Sequence, residues 1–425
     1  LSDFCCELQI NVPTGKDSLS MTQKYHDGKK IIAPGTVIVS SGGEVSDIRK
    51  VVSPVIKNMA DSRLYYIDFS FDKLQLGGSA FAQSQGKVGS DVPTVKNAEY
   101  FRDAFMAIQQ LVNEGLVLAG HDISAGGIIT TLLEMCFANT KGGLDLCFDK
   151  IQEADIVKIL FAENPGVVIQ VSDANAPRAK KILEDAGVAY AKIGKPAEGR
   201  EITIHKNISN AQVPNAKIAD RDMVFTFDID ALRDVWYSTS YLLDRRQSFN
   251  GKADERYANY KNIPVEWTVS GAPLTKTPRP EGRRPVAAII REKGTNSERE
   301  MAWSFYMAGF DVKDVTMTDL ITGRETLEEV NLVAFCGGFS NSDVLGSAKG
   351  WAGAFLFNPK AKEALDKFYA REDTLSLGVC NGCQLMVELG LLNNTSATTN
   401  ARDYAQMLHN DSHKFESAFV TLQIP

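Results

Sequence analysis

Between Leu375 and Met386 the chain reads Leu-Ser-Leu-Gly-Val-Cys-Asn-Gly-Cys-Gln-Leu-Met, an apolar strand that turns sharply into a helix. Few backbone arrangements accommodate so abrupt a reversal. Gly378-x-Cys380-x-Gly382 sets a glycine on each side of the turn, where a side chain would clash with the approaching strand or helix. This is the nucleophile-elbow pattern with cysteine in place of serine, and it predicts a strained backbone at Cys380. A thiol there sits at the positive end of the helix dipole, which favours the thiolate, and the backbone N–H of Asn381 is free to meet an oxyanion. Cys380 is thus a candidate nucleophile. Cys380-Asn-Gly-Cys383 is also a C-x-x-C pair, so a redox couple, half of a metal site or a merely packed thiol compete with that reading. No second C-x-x-C and no nearby histidine pair supports a structural zinc site.

The surroundings of this turn are regular. Strands are expected at 286–290, 311–315, 331–336 and 374–379, with helices at 297–308, within 343–370 and at 381–389. Such alternation predicts a parallel, doubly wound sheet over 285–425. Leu332-Val-Ala-Phe-Cys336-Gly-Gly338-Phe-Ser then ends on the same carboxyl edge as Cys380, where two glycines offer backbone N–H groups or simply make a tight turn.

Upstream, residues 55–237 read as an α+β unit. A strand at 64–69 precedes a helix with Phe101, Phe105, Ile108 and Val112 on one face, closed by Gly115. Leu116–Ala119 then runs through a polar loop, Gly120-His-Asp-Ile-Ser-Ala-Gly-Gly127, into a helix with Ile129, Leu132, Leu133 and Cys136 on one face. Residues 1–54 look like strands and loops of an incomplete β-rich domain, including Leu8–Val12 and Ala33–Ser40, and 238–284 reads as a linker rich in Arg, Asn, Pro and Gly.

Composition narrows the function classes. A chain of 425 residues holds two or three domains, and 46 Lys+Arg against 53 Asp+Glu give a net charge of −7, which disfavours electrostatic capture of nucleic acid. No apolar run approaches the roughly 18 residues of a membrane helix and no signal pattern opens the chain, so a soluble, cytoplasmic protein is expected. Seven cysteines, an odd number, suit reduced thiols better than a disulfide framework. The chain opens at Leu1 and stops at Pro425 inside the alternating run Phe419–Ile424, so both ends read as cut from something longer.

Gly378–Gln384, together with Arg291-Glu-Lys-Gly-Thr-Asn-Ser-Glu-Arg-Glu-Met301 and Cys336-Gly-Gly-Phe-Ser-Asn-Ser-Asp-Val-Leu-Gly346, resembles the class I glutamine amidotransferase domain of the formylglycinamide ribonucleotide amidotransferases. Pro13–Met21, Gly77–Gln83, His121–Gly127 and Trp236–Tyr241 are similar to the second half of that family's duplicated α+β synthetase and its linker. The resemblance runs along essentially the whole chain in one order. It implies ATP- and glutamine-dependent amidation of formylglycinamide ribonucleotide in purine biosynthesis, with Cys380 forming a thioester and the released ammonia passing to the synthetase site. It also implies oxyanion-hole roles for Gly338 and Asn381, contact of Gln384 with the substrate glutamine, and nucleotide and magnesium binding at Asp122 and Ser124, with Asp122 as the metal ligand. Read without the resemblance, Asp122 and Ser124 are helix caps first. The nucleotide of this half is an auxiliary one in some family members, so Asp122 is not assigned to the reaction itself.

Some expected parts are missing. The family draws its general base from a His-x-Glu segment well past the cysteine, whereas the sequence ends 45 residues after Cys380. His409 and His413 lie in Met407-Leu-His-Asn-Asp-Ser-His-Lys-Phe-Glu416, a stretch similar to one that precedes the family's histidine, and Lys414 stands where the family usually has arginine. Neither is promoted to a base. Lys16 and Asp17 fail the Walker pattern, because Ser does not directly follow Lys16. Without the N-terminal synthetase half and the rest of the glutaminase, this chain alone is expected to be inactive. Two alternatives stay open: a thiol redox protein using Cys380 and Cys383, and a non-catalytic nucleotide-binding module.

Overall fold

The computed structural model describes residues 1–12, 22–24, 26–32, 37–45, 47–208, 221–262, 282–392 and 405–417. The Lys16–Asp17 loop and the Phe419–Ile424 run lie outside them. The chain forms two compact units, Leu1–Ser240 and Tyr241–Pro425.

The first unit opens with helix α1 (Ser2–Glu7) and a small hairpin of β1 (Thr22–Lys24) and β2 (Lys30–Ile32). Then follow β3 (Ser62–Asp68), α2 (Ala80–Ser84), α3 (Ala98–Asn113), β4 (Val117–Asp122), α4 (Gly127–Phe137), β5 (Gly142–Cys147), α5 (Ile156–Phe161), β6 (Gly166–Ser172), α6 (Ala176–Asp185), β7 (Tyr190–Glu198), β8 (Glu201–Ile208), β9 (Arg221–Asp228) and α7 (Ile229–Gln247). The strands make one seven-stranded sheet in the order β4-β6-β3-β7-β5-β8-β9, antiparallel except for the β5–β8 pair. Alternation along β3 divides the core: Leu64 faces α4 and α5, while Tyr65, Ile67 and Phe69 face α3 and α6.

Three local expectations change. Helix α3 buries Tyr100, Ala104, Ala107 and Leu111 instead of Phe105, which is 48% exposed. The two alanines admit close packing of α3, and the bulky Phe101 and Ile108 flank that seam. Leu8–Val12 and Val37–Ser40 form no strand, because neither finds a ladder partner among the described residues. The start of the presumed linker is helical, through the end of α7 and α8 (Lys252–Asn259).

The second unit continues with β10 (Val286–Arg291), β11 (Thr295–Asn296), α9 (Glu298–Met307), β12 (Asp311–Thr316), α10 (Met317–Thr322), β13 (Leu332–Phe335), β14 (Gly337–Gly338), α11 (Lys349–Leu356), α12 (Pro359–Tyr369), β15 (Leu375–Gly378) and α13 (Asn381–Glu388). Four strands build a wholly parallel sheet in the order β12-β10-β13-β15. Alternate residues of β10 and β13 face opposite layers. Ile290, Val333 and Phe335 pack on Trp351, Phe355, Leu365 and Leu385, while Ile289 and Ala334 pack toward Phe305 of α9. Helices on both faces make it the doubly wound sheet that the strand–helix alternation predicts, beside an α+β unit. Among the described residues, no helix is long and apolar enough to cross a membrane.

Two polar devices brace this unit. Helix α10 carries a capping box, with Thr316 and Asp319 exchanging side-chain and backbone hydrogen bonds. The Thr316 hydroxyl, and then its backbone N–H, hold the Asp319 carboxyl below the usual carboxylate range. A lowered native value means this contribution is present above the unfolded carboxylate value near 3.8 and fades as the pH falls through the native one. Asp319→Ala is expected to cost about 1 kcal/mol at pH 7 and progressively less below pH ~4, read from urea midpoints at both pH values. The second device ties α7 and α8 to the chain near 412. Asp244 accepts from Arg256 Nε at 2.7 Å and Ser248 Oγ at 2.7 Å, and pairs with Lys414. Arg256 also reaches Glu416 at 2.6 Å, Phe249 N–H donates to the Ser412 carbonyl at 3.0 Å, and Phe249 packs on the His413 ring. Hydrogen bonds from Arg256 hold the Asp244 carboxyl far below its usual range.

Candidate active site

Parallel pairing sets the site. β15 lies beside β13 with Gly378 opposite Phe335, so the chain leaves both strands at the same sheet edge. At that edge Cys380 adopts φ 54 and ψ −111 and is the N-cap of α13. A non-glycine residue holds such angles only where its surroundings impose them. The imposing contact is the packing of α13 against β13: a Cβ on Gly382 would stand 2.1 Å from the Phe335 carbonyl oxygen, and one on Gly378 2.6 Å from the Gly382 oxygen. The two glycines let strand and helix meet, and Cys380 absorbs the reversal with its side chain exposed.

The loop after β13 folds over this turn. β14 pairs antiparallel with β11, Gly338 opposite Thr295, and Phe339 N–H donates to the Gly294 carbonyl at 2.9 Å. That bond makes Thr295–Gly338 a non-hydrogen-bonded pair, so the ladder leaves the Gly338 N–H unspent. Gly337 lies against the cysteine, since a Cβ there would come 3.2 Å from Cys380 Cβ and 3.9 Å from its Sγ. Asn381 is the first residue of α13, and a first-turn N–H has no partner within its own helix. Its side chain is buried and joins Ser340 at 2.6 Å on one side and Gln384 at 2.9 Å on the other. Cys380, Gly338, Asn381 and Gln384 thus gather at one edge.

The other thiols differ. Cys336 is fully buried and burial pushes its thiol up to about 11, which leaves it unreactive. Cys383, the third residue of α13, is partly buried, and all seven cysteines are free. Among the described residues no hydrogen bond joins Cys380 to a base. His413 instead packs on Phe249 at 5.0 Å, and His409 is exposed.

In the first unit, Asp122 closes β4 with its side chain 71% exposed, and Ser124 is exposed two residues on. Neither caps α4. The N-cap is Gly126, at φ 90, and its N–H donates to Glu163 Oε1 at 2.8 Å; the same oxygen accepts from Ala80 N–H at 2.8 Å. Glu163 carries no motif in the sequence and serves two helix starts from another loop. His121 stands 3.1 Å from Asp122 Oδ1 and 3.3 Å from Glu134 Oε2, beside a cavity of about 310 Å³ lined by Val52, Ile108, Val117 and Ile169. Among the described residues no group of three or more metal-ligating side chains occurs. The exposed Asp122 carboxylate therefore fits a magnesium ion only if phosphate oxygens complete the shell, a mode that ion commonly uses.

Comparison with known proteins places these units. Residues 284–425 match the CobB/CobQ-like glutamine amidotransferase domain, 63–207 the C-terminal domain of AIR synthase related proteins, and 1–44 the FGAR-AT PurM_N-like domain. The fold and its cysteine turn therefore belong to a chain that joins an AIR synthase-type domain to a glutamine amidotransferase domain. The chain is 36% identical to the phosphoribosylformylglycinamidine synthases of Dictyostelium discoideum and Homo sapiens, over 100% and 98% of its length and 32% and 31% of theirs. Along essentially its whole length it is similar to these phosphoribosylformylglycinamidine synthases, and it spans about a third of their length. A solved Thermotoga maritima PurL complexed with ATP aligns with 44% of the chain and 27% of its own at 14% identity, with a TM-score of 0.31.

Proposed function

We propose that this chain carries the ammonia-generating part of a phosphoribosylformylglycinamidine synthase, together with one half of its synthetase. The observation that carries the reading is the Cys380 turn, strained and exposed, with the N–H groups of Gly338 and Asn381 used neither by the β11–β14 ladder nor by α13. Cys380 Sγ adds to the carboxamide carbon of glutamine, and the oxygen that becomes negative meets those two N–H groups. The C–N bond then breaks, the thiol's proton ends on the leaving nitrogen, and ammonia departs from a thioester. Water hydrolyses the thioester to glutamate and restores the thiol. Moving these protons requires a general base.

The ammonia passes to the synthetase site, where ATP-dependent phosphoryl transfer activates the formylglycinamide carbonyl for conversion to the amidine. Asp122 and Ser124 would hold nucleotide phosphate and a phosphate-borne magnesium, which supplies charge neutralisation there. We assign 1–54 to a remnant of a β-rich synthetase subdomain, 55–237 to the α+β subdomain, 238–284 to the linker and 285–425 to the glutaminase. Seven free thiols support a cytoplasmic setting.

The test is chemical. Full-length enzyme treated with a diazoketone analogue of glutamine is expected to carry one label, on Cys380, by peptide mass spectrometry. A label on Cys383, or a reversible Cys380–Cys383 disulfide in its place, would favour the redox reading.

A further inference from the structure

The side chains behind the oxyanion loop have a fixed polarity. Asn381 is 2% exposed and Ser340 1% exposed, so their hydrogen bonds have no water to exchange with. Ser340 approaches one terminal atom of the Asn381 amide twice, with its hydroxyl at 2.6 Å and its backbone N–H at 3.3 Å. A backbone N–H only donates, so that atom is Oδ1. Asn381 must then present its nitrogen to Gln384, which accepts through Oε1 at 2.9 Å. With its oxygen engaged, Gln384 keeps its NH₂ group as a donor, and that group has no partner among the described residues.

Resting on the amidotransferase reading, we propose that Ser340 is a positioning residue that sets the hydrogen-bonding sense of Gln384. The relay Ser340 to Asn381 to Gln384 makes Gln384 a donor of two N–H groups, suited to an oxygen of the bound amino acid substrate. The same relay joins the loop carrying Gly338 to the helix carrying Asn381. No spacing rule in the sequence couples Ser340 to Gln384, because the contact crosses from one strand end to another.

The experiment is a double-mutant cycle in the full-length enzyme with Ser340→Ala, Gln384→Ala and the pair. Glutamine-dependent kcat/KM is divided by the ammonia-dependent rate of the same preparation, which counts folded molecules. Ser340→Ala is expected to lower this ratio about tenfold and Gln384→Ala about a hundredfold, with the double variant no worse than Gln384→Ala alone. Gln384→Glu keeps an acceptor for Asn381 but replaces the NH₂ donors with oxygen, and is expected to be as impaired as Gln384→Ala. Additive losses in the double variant, an unchanged ratio in Ser340→Ala, or a Gln384→Glu enzyme with normal glutamine KM would each overturn the relay. Failure of the amidotransferase reading shows separately, as a diazoketone label absent from Cys380.

Discussion

Cys380→Ala in the full-length enzyme is expected to abolish glutamine-dependent turnover, by about four orders of magnitude or more, while ammonia-dependent turnover survives. On the proposed mechanism, removing Sγ deletes the atom that bonds to the substrate, and no neighbouring thiol replaces it. Cys336 is sealed in the core under the loop, with its thiol raised by burial. Cys383 is the third residue of α13 and lacks the strained backbone that presents Cys380. On the same proposal free ammonia bypasses the whole arrangement, because an amidation step needs the nitrogen and not its source. Steady-state assays with glutamine and with ammonium salt on the same preparation decide the matter. Loss of both activities would mean that the turn also serves the synthetase reaction, and the division of labour would fall.

Gly382→Ala is expected to destabilise the Tyr241–Pro425 unit by about 3 kcal/mol or more and to cripple glutamine use in whatever still folds. The new methyl would meet the Phe335 carbonyl oxygen at 2.1 Å, its carbon at 2.6 Å and its Cβ at 2.9 Å. None of these atoms can yield. Phe335 is fully buried and packs edge-on against Trp351 and Phe355, so relief must come from α13 moving off the strand. That movement takes the Asn381 N–H with it. Gly187→Ala is the contrasting control: its φ of 66 is unfavourable for alanine, but nothing lies within 4 Å of the added carbon. It should cost only about 1 kcal/mol. Equal urea midpoints for the two variants would show that the close approach at Gly382 is softer than its distances require.

What the sequence made legible was whatever is encoded locally. The turn at Cys380 announces itself through two glycines and an apolar run, and the strands of the second unit through short buried segments between helices. Contacts between distant segments stayed hidden. The β11–β14 ladder joins residues 295–296 to 337–338 through strands of two residues, too short to carry a period. Glu163 looks like any loop carboxylate, yet it serves the starts of two helices. On α3 the apolar residues are spaced for more than one face, and only packing selects the alanine side. Asp122 and Ser124 rest on the resemblance alone, since both side chains are exposed and neither makes the cap that their position suggests.

The bonds between 244–256 and 412–416 bear on where the amidotransferase can be cut. The family match begins at residue 284, but Lys414 and Glu416 inside it are neutralised by Asp244 and Arg256, well before that boundary. A piece started at the match would keep two charges and lose their counter-charges, along with the backbone bond from Phe249 that holds Ser412. The border of this unit is therefore drawn by ion pairs whose upstream members, Asp244 and Arg256, both precede residue 284, where the match to the amidotransferase domain begins.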